Sequence, residues 1–349
     1  MQFKNKIKYM ATFIFLLIVL FSCNFNFKNS LNENNIVINK IENEARTEYK
    51  YYELFDIDPA KIIVPKNQTS SQSLSILAQD SDGNLIVFDG GRVEDADYLC
   101  NLIKENGGVV SAWFITHIHD DHIGALYKIL NDKRIDIEIK QIYYDFASFE
   151  WYYQKIGNDA GIYYLFENAI KNYNEFLIEN NRVPITMLHK NNNISLYFFG
   201  KEMWVSVLNN HFELDSDPIN NTSITYLLTI KGINLLLLGD LGYEGGNILF
   251  NDNFLANESD YNISYHSLDK NHYTSHPIEV LVLAHHGQNG IDPELYKRLK
   301  PKVVIWPTSK DIYENKHGRY NTDDTKNVLN EMSSIEYQIK SFEETAIIR

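Results

Sequence analysis

The chain has 349 residues, 44% of them hydrophobic, enough for one large globular domain with a substantial core, or for two smaller ones. Lys and Arg number 32 against 46 Asp and Glu, a formal net charge of -14. Such a surface repels polyanions on average, which weighs against a nucleic-acid partner without excluding one, because a bound metal pair is itself a strong local positive charge.

Lys4, Lys6 and Lys8 precede an apolar run over residues 10–21 that is broken only by Thr12. The run is short for a membrane span and right for a secretory signal, so residues 1–22 are set aside from the fold. Leu20-Phe21-Ser22-Cys23 resembles the bacterial lipobox, with Phe21 atypical at its second position. The expectation is an exported, membrane-anchored lipoprotein of a bacterial cell envelope, held through a lipid on Cys23; the alternative is an uncleaved short anchor. Lipidation would leave Cys100, the other cysteine, without a partner, so Cys100 reads as a small buried hydrophobe in a helix. From Asn24 to about Lys50 the composition turns to Asn, Glu and Lys, as in a tether. Residues 23–65 are expected to form the lipidated N-terminus and tether, and residues 66–349 one domain.

That domain opens with strand-like runs at 73–79 and 84–89, joined by the hairpin signal Asp80-Ser81-Asp82-Gly83. The second run ends in Asp89-Gly90-Gly91, which is either a plain tight turn or a turn beneath a site, with Asp89 orienting a ligand from behind. Residues 95–106 have helical spacing and stop at Gly107-Gly108. An apolar strand at 109–115 then runs into Thr116-His117-Ile118-His119-Asp120-Asp121-His122-Ile123-Gly124, and Ile123, Ala125, Leu126, Ile129 and Leu130 mark one face of a helix that starts inside this stretch. Helix capping explains the two acids but not three imidazoles. A His/Asp cluster of this density at a strand end points to a metal site.

Residues 142–177 are crowded with aromatics, either core and helix packing or a wall over the metal site able to grip a sugar, a base or a quaternary ammonium head. Strands follow at 196–208 and 224–230, the latter preceded by Asn220-Asn221-Thr222-Ser223. The run 234–238 ends in Gly239-Asp240, an acid emerging from a buried strand and so a site candidate. Residues 280–284 lead in the same way into His285-His286-Gly287. Leu295 and Leu299 mark a short helix, 303–306 a buried strand and 337–348 the last strands, with His317-Gly318 in a polar loop.

The pattern His117-x-His119-x-Asp121-His122, preceded by Asp89-Gly90-Gly91 and followed by Gly239-Asp240 and His285-His286-Gly287, resembles the metallo-β-lactamase superfamily. Its nearest likeness is the branch of the ComEC-like hydrolase domain and the phosphorylcholine esterases. The resemblance implies an α/β fold, a four-layer αββα sandwich of two mixed sheets with the metal site at one edge. By position it implies His117 and His119 on a first metal, Asp121 and His122 on a second, Asp240 bridging them and His286 closing the set. His285 would lie behind the ligands or face substrate, and His317, with Asp121 and Asp240, would serve catalysis. Asp89, Asn220 and Asn221 would stand near the centre without an assigned role. His211, His266, His272 and His276 match no family position and read as surface histidines. The implied cofactors are two divalent ions, Zn²⁺ first and Mn²⁺ as the alternative, activating water for attack on a phosphodiester or related ester, either a small molecule or part of the envelope. Many members place a third His on the first metal where this chain has Asn220 to Ser223, and an Asn carbonyl is a poorer zinc ligand. That departure keeps open a one-metal or degenerate binding protein without turnover, and the aromatic stretch keeps open an envelope enzyme of the phosphorylcholine-esterase type.

Overall fold

Short β-branched and aromatic runs cut by Gly and Asp turns put the first part of the chain into strands: β1 (Tyr49–Tyr52), β2 (Lys61–Val64), β3 (Ile76–Gln79) and β4 (Leu85–Phe88). The computed structural model describes residues 49–188, 196–251 and 277–349. The segment with Cys23, and His266, His272 and His276, lie outside them. β3 and β4 form the expected hairpin, in which Asp80 Oδ1 accepts from the amides of Asp82 and Asn84 at 3.0 and 2.8 Å. α1 (Ala96–Glu105) buries Leu99, Cys100, Leu102 and Ile103. β5 (Val109–Phe114) and α2 (Asp120–Asn131) follow, then β6 (Glu138–Ile139), β7 (Gln141–Tyr143), α3 (Phe149–Ile156), α4 (Gly161–Glu179) and β8 (Thr186–Leu188). The later part runs β9 (Leu196–Phe199), β10 (Met203–Val207), β11 (Tyr226–Ile230), β12 (Ile233–Leu237), α5 (Tyr243–Asn251), β13 (Val280–Val282), α6 (Tyr296–Leu299), β14 (Val303–Trp306), α7 (Lys310–Glu314), α8 (Thr322–Glu331), β15 (Tyr337–Lys340) and β16 (Thr345–Ile348). Among the described residues no helix is long and apolar enough to cross a membrane.

One sheet has the order β1-β16-β2-β3-β4-β5-β7-β8, with β6 also on β5; the other has the order β15-β14-β13-β12-β11-β10-β9. Both are mixed: β4, β5, β7 and β8 run parallel, as do β12 to β15, while the hairpins are antiparallel. The inner faces enclose one apolar cluster in which Phe88 stacks on Phe114 and Phe114 meets Tyr226 edge-on, each pair 5.4 Å apart. α1, α2 and α4 cover the outer face of the first sheet and α5, α6 and α8 that of the second. The expected αββα sandwich is the fold observed.

One expectation changes and one open reading narrows. The described fold takes in residues 49–65, expected as tether, because β1 pairs in parallel with β16 (Tyr49 opposite Thr345) and β2 lies antiparallel between β16 and β3. A four-residue strand whose partner is the last strand of the chain has no local signature. In the aromatic segment the packing reading holds for most rings. Tyr152, Phe166 and Tyr173 are buried, Phe146, Phe149, Trp151 and Tyr163 pack against the same cluster, and only Tyr153 and Tyr164 remain largely exposed.

The site is placed by parallel strands. β4, β5, β12 and β13 all end at the same edge of the sandwich, where the Ile224 amide donates to Thr116 O (2.9 Å) and the His285 amide to Gly239 O (3.0 Å).

Candidate metal centre

After β5 the chain turns at Thr116, and His119, extended at φ −65° and ψ 151°, caps α2. Asp120 and Asp121 thus fall in the first helical turn, where the dipole favours carboxylates. Their roles then separate. Asp120 is exposed and pairs with Arg92 Nη1 at 2.7 Å, an ordinary helix-start acid. Asp121 and His122 are buried and point inward.

Asp89, fully buried at the end of β4, sets the orientation of the imidazoles. Its Oδ1 accepts from the Thr116 amide, and its Oδ2 accepts from Thr116 Oγ1 and His122 Nδ1, all at 2.8 Å. Because the Thr116 hydroxyl spends its proton on Asp89, it can only accept from His117 Nδ1 at 3.1 Å. Both imidazoles therefore present unprotonated Nε2 atoms inward when neutral, the arrangement a metal ligand needs. His119 offers Nδ1, 2.9 Å from His117 Nε2.

The second sheet brings the remaining groups. Asp240 follows Gly239, whose φ is +59° and where a Cβ would stand 2.8 Å from the Ser223 Cβ; the Asp240 amide donates to Ser223 Oγ at 2.8 Å. Past β13, His285 and His286 both take left-handed backbone angles (φ 47° and 58°). Gly287 follows at φ +81°, and a Cβ there would stand 2.3 Å from the Trp306 ring. This turn drops His286 into the centre. Its Nδ1 donates to Pro307 O at 2.5 Å, and its Nε2 lies 3.1 Å from Asp121 Oδ2 and 3.3 Å from Asp240 Oδ2. His285 stays at the periphery, its Nε2 3.9 Å from Asp240 Oδ2.

Burial opposes charge on every group here. It prevails at His117 and His119, held below the ordinary imidazole value, and at Asp89, pushed up despite His122 and Thr116. At Asp121 burial is overcome by the hydrogen bond from His286 and the charges of His122 and His286, and at Asp240 by the charges of His122, His286 and His285; both carboxyls stay below their usual range. Burial is likewise overcome at His122, raised well above its ordinary value by Asp240 and Asp89, and at His286, raised to about 9 by Asp240 and Asp121.

The residues fit divalent ions. His122 Nε2, Asp240 Oδ1 and His286 Nε2 are buried and reach only one another and Asp121, at 3.1 to 3.3 Å, while Asn220 Oδ1 is buried with no hydrogen-bond partner. Buried polar atoms so sparsely served are rare in a folded interior. The ligand atoms of His117, His122 and Asp240 lie within 4.8 Å of one another, and so do those of Asp121, His122 and His286. An imidazole and carboxylate set suits zinc and its neighbours in the first transition row.

Other candidates fall elsewhere. Asn221 is consumed by structure: its Oδ1 accepts from the amides of Gly242 and Gly245 at 3.0 and 3.1 Å, and its Nδ2 donates to Ser216 O at 2.7 Å, tying its loop to the start of α5. His317 is exposed, between α7 and α8, and makes no hydrogen bond or ion pair with the other described residues. His211 is no plain surface residue, standing 3.2 Å from Asp145 and 3.7 Å from Glu213. Sequence reading missed Thr116, which lay inside the motif, and Arg92, which reaches Asp121 at 3.8 Å as well as Asp120. It also missed Asp217 and the Pro307 carbonyl, whose roles depend on contacts between distant segments.

The family model of the metallo-beta-lactamase superfamily matches residues 69–305. Among solved structures, the metallo-beta-lactamase fold protein YhfI from Bacillus subtilis is 13% identical, with 81% of this chain and 97% of that chain covered and a TM-score of 0.44. Unliganded yeast PDE1 is 11% identical, with 83% and 97% covered and a TM-score of 0.43. A diphosphatase from the PhnP family is 13% identical, with 70% and 85% covered and a TM-score of 0.36. Likenesses this distant say nothing of substrate. No curated protein matches the chain.

Proposed function

The chain belongs to the metallo-beta-lactamase superfamily of metal-dependent hydrolases, and on that premise we propose that it cleaves a phosphodiester or related ester with water activated between two divalent ions, Zn²⁺ or alternatively Mn²⁺. The observation that carries this reading is the convergence of buried imidazole and carboxylate atoms, with no other polar group to serve them, at one sandwich edge. Divalent ions bound there supply the charge that steadies the oxygen gaining electrons and the acidity that makes water a nucleophile near neutral pH.

The side chains do the rest. His117 and His119 would hold the first ion, Asp121, His122 and His286 the second, with Asp240 between them, as the distances from its two oxygens support. Asp89 and Thr116 keep the imidazole tautomers fixed, and Arg92 restrains the two acids at the start of α2. An ester substrate would approach from the side of His119 and His285, the least buried of the clustered histidines.

Purified chain loaded with Zn²⁺ or Mn²⁺ is expected to cleave bis-p-nitrophenyl phosphate, and His119→Ala to abolish cleavage. Loaded protein inert across a broad panel of phosphate and carboxylate esters would overturn the reading. The Asn220 to Ser223 segment, in place of an imidazole, favours a second reading, a one-metal binding protein without turnover. One tightly held equivalent with no hydrolysis would decide for it. The phosphorylcholine-type reading has less support, since most rings of its aromatic wall pack in the core. Export and lipid attachment at Cys23 complete the proposal; radiolabelled palmitate should enter the expressed chain and not its Cys23→Ser variant.

A further inference from the structure

We propose that Asn220 completes the first metal position with its side-chain carbonyl oxygen, turned inward by Asp217 and His285; this rests on the metal-dependent reading above. Asn220 lies in the turn Asn220–Thr222 before β11 and is 5% exposed. Its Nδ2 is 3.0 Å from each Asp217 carboxylate oxygen and 3.4 Å from His285 Nε2. A carboxylate only accepts. His285 Nδ1 faces the Asn289 carbonyl at 3.3 Å, which also only accepts, so that nitrogen carries the ring proton and Nε2 is left as an acceptor. Both amide hydrogens are thereby used, and the network itself decides which end of the amide is nitrogen. The other end, Oδ1, is buried and unpartnered. A buried orphan carbonyl is costly unless it meets a cation.

Its place agrees with the ligand that is short. Asn220 Nδ2 meets His285 Nε2, which lies 3.9 Å from Asp240 Oδ2, the oxygen that His117 Nε2 at 3.9 Å and His286 Nε2 at 3.3 Å also approach, so Asn220 stands at the edge of the centre, where His117 and His119 are the pair still short of a ligand. The Asp217 clamp is itself held, since Asp217 keeps a left-handed backbone (φ 43°) and its carbonyl accepts from the Asn221 amide at 3.0 Å. Strain of that kind persists where the surroundings fix it and often marks a functional position. The neighbouring Asn221, with its oxygen and its nitrogen both bonded to backbone, shows what a purely structural asparagine looks like in the same turn.

An amide oxygen is a harder, weaker donor than imidazole. The two metal positions should therefore differ: a tight one at Asp121, His122 and His286, and a weaker one at His117, His119 and Asn220 that discriminates less in favour of zinc.

The test is metal content of the purified full-length chain, by plasma mass spectrometry after dialysis against graded free Zn²⁺ or Mn²⁺, with circular dichroism to establish folding. The wild type should bind two equivalents of unequal affinity. Asn220→Ala should lose the weaker one, and Asp217→Ala should weaken it by about 10- to 100-fold, as loss of a group behind a ligand does. Asn220→His should tighten it and favour zinc, and should restore it in the Asp217→Ala background, because a ring needs no amide clamp. Two unchanged equivalents in Asn220→Ala, or a wild type with only one, would overturn the proposal while leaving a metalloprotein. If Asn220→Ala fails to fold, an Asp217→Ala variant that keeps wild-type affinity at both positions overturns it instead. A wild type that binds no metal sinks the functional reading itself.

Discussion

Asp89 shows how a residue that need not touch a metal governs one. With no exposure, it holds Thr116 and His122 by three hydrogen bonds of 2.8 Å and so sets which nitrogen of His122 faces inward. Asp89→Asn keeps the shape but offers His122 Nδ1 an acceptor only if the amide turns its nitrogen toward another donor. Metal affinity is expected to fall by about 10- to 100-fold, measured by competition with a chromophoric chelator; unchanged affinity would deny Asp89 this role. A second residue, His211, pairs with Asp145 and Glu213 and not with the ligand carboxylates. Burial lowers its pKa, but the Asp145 hydrogen bond and the Asp145 and Glu213 charges overcome that and raise it above its ordinary 6.5. A raised folded value means that His211 stabilises the fold below the unfolded pKa and loses that contribution as pH rises through the folded value. Thermal unfolding should therefore show wild type losing stability relative to His211→Gln as pH climbs from 6.5; parallel curves would refute the ion pairing.

The register of elements explains why residues 49–65 belong to the fold. β2 contributes Ile62 and Val64 to the cluster between the sheets, and β1 covers the outer edge of β16. A chain beginning at Tyr49 is expected to fold and stay soluble. One beginning at Lys66 uncovers β3 and β16 and removes buried apolar side chains at roughly 1.5–3 kcal/mol each, so it should aggregate. Expression of both, followed by size-exclusion chromatography, distinguishes them, and equal behaviour would remove β1 and β2 from the structural account. The turn at His285 and His286 belongs to the same scale. Two non-glycine residues hold left-handed angles because Gly287 packs against Trp306 and His286 Nδ1 is tied to Pro307 O.

For the whole molecule, the centre ties the two sheets together across the sandwich edge, so metal binding is linked to folding. At about a hundred times the dissociation constant a ligand of the native state adds roughly 2.7 kcal/mol. Chelation should therefore lower the melting temperature by about 5–10 °C, read by calorimetry with readdition of metal as control. Binding must also displace protons, because Asp240 and Asp89 raise His122 above its ordinary value and Asp240 and Asp121 raise His286 to about 9, while a metal ligand must be unprotonated. The heat of metal binding at pH 7.5 should accordingly vary with the ionisation enthalpy of the buffer; a heat independent of buffer would exclude that release.

What the sequence determined by itself was local and dense: six ligand-type residues over 117–122 and at strand ends, glycines beside them, and apolar runs that marked strands, with the four-layer sandwich implied by the family those motifs resemble. Those signals are legible because periodicity and spacing are properties of neighbouring residues. Tertiary structure alone decided between His285 and His286, since a left-handed turn and the Pro307 carbonyl choose which ring points inward. It alone distinguished Asn220, with an orphaned oxygen, from Asn221, consumed by the start of α5, and sent His317 to the surface. It also drew residues 49–65 into the domain, because the partner of β1 is the end of the chain. The physical reason is common to all four: each depends on contacts between segments tens to hundreds of residues apart, where hydrogen-bond partners and burial are set by packing and leave no trace in local pattern.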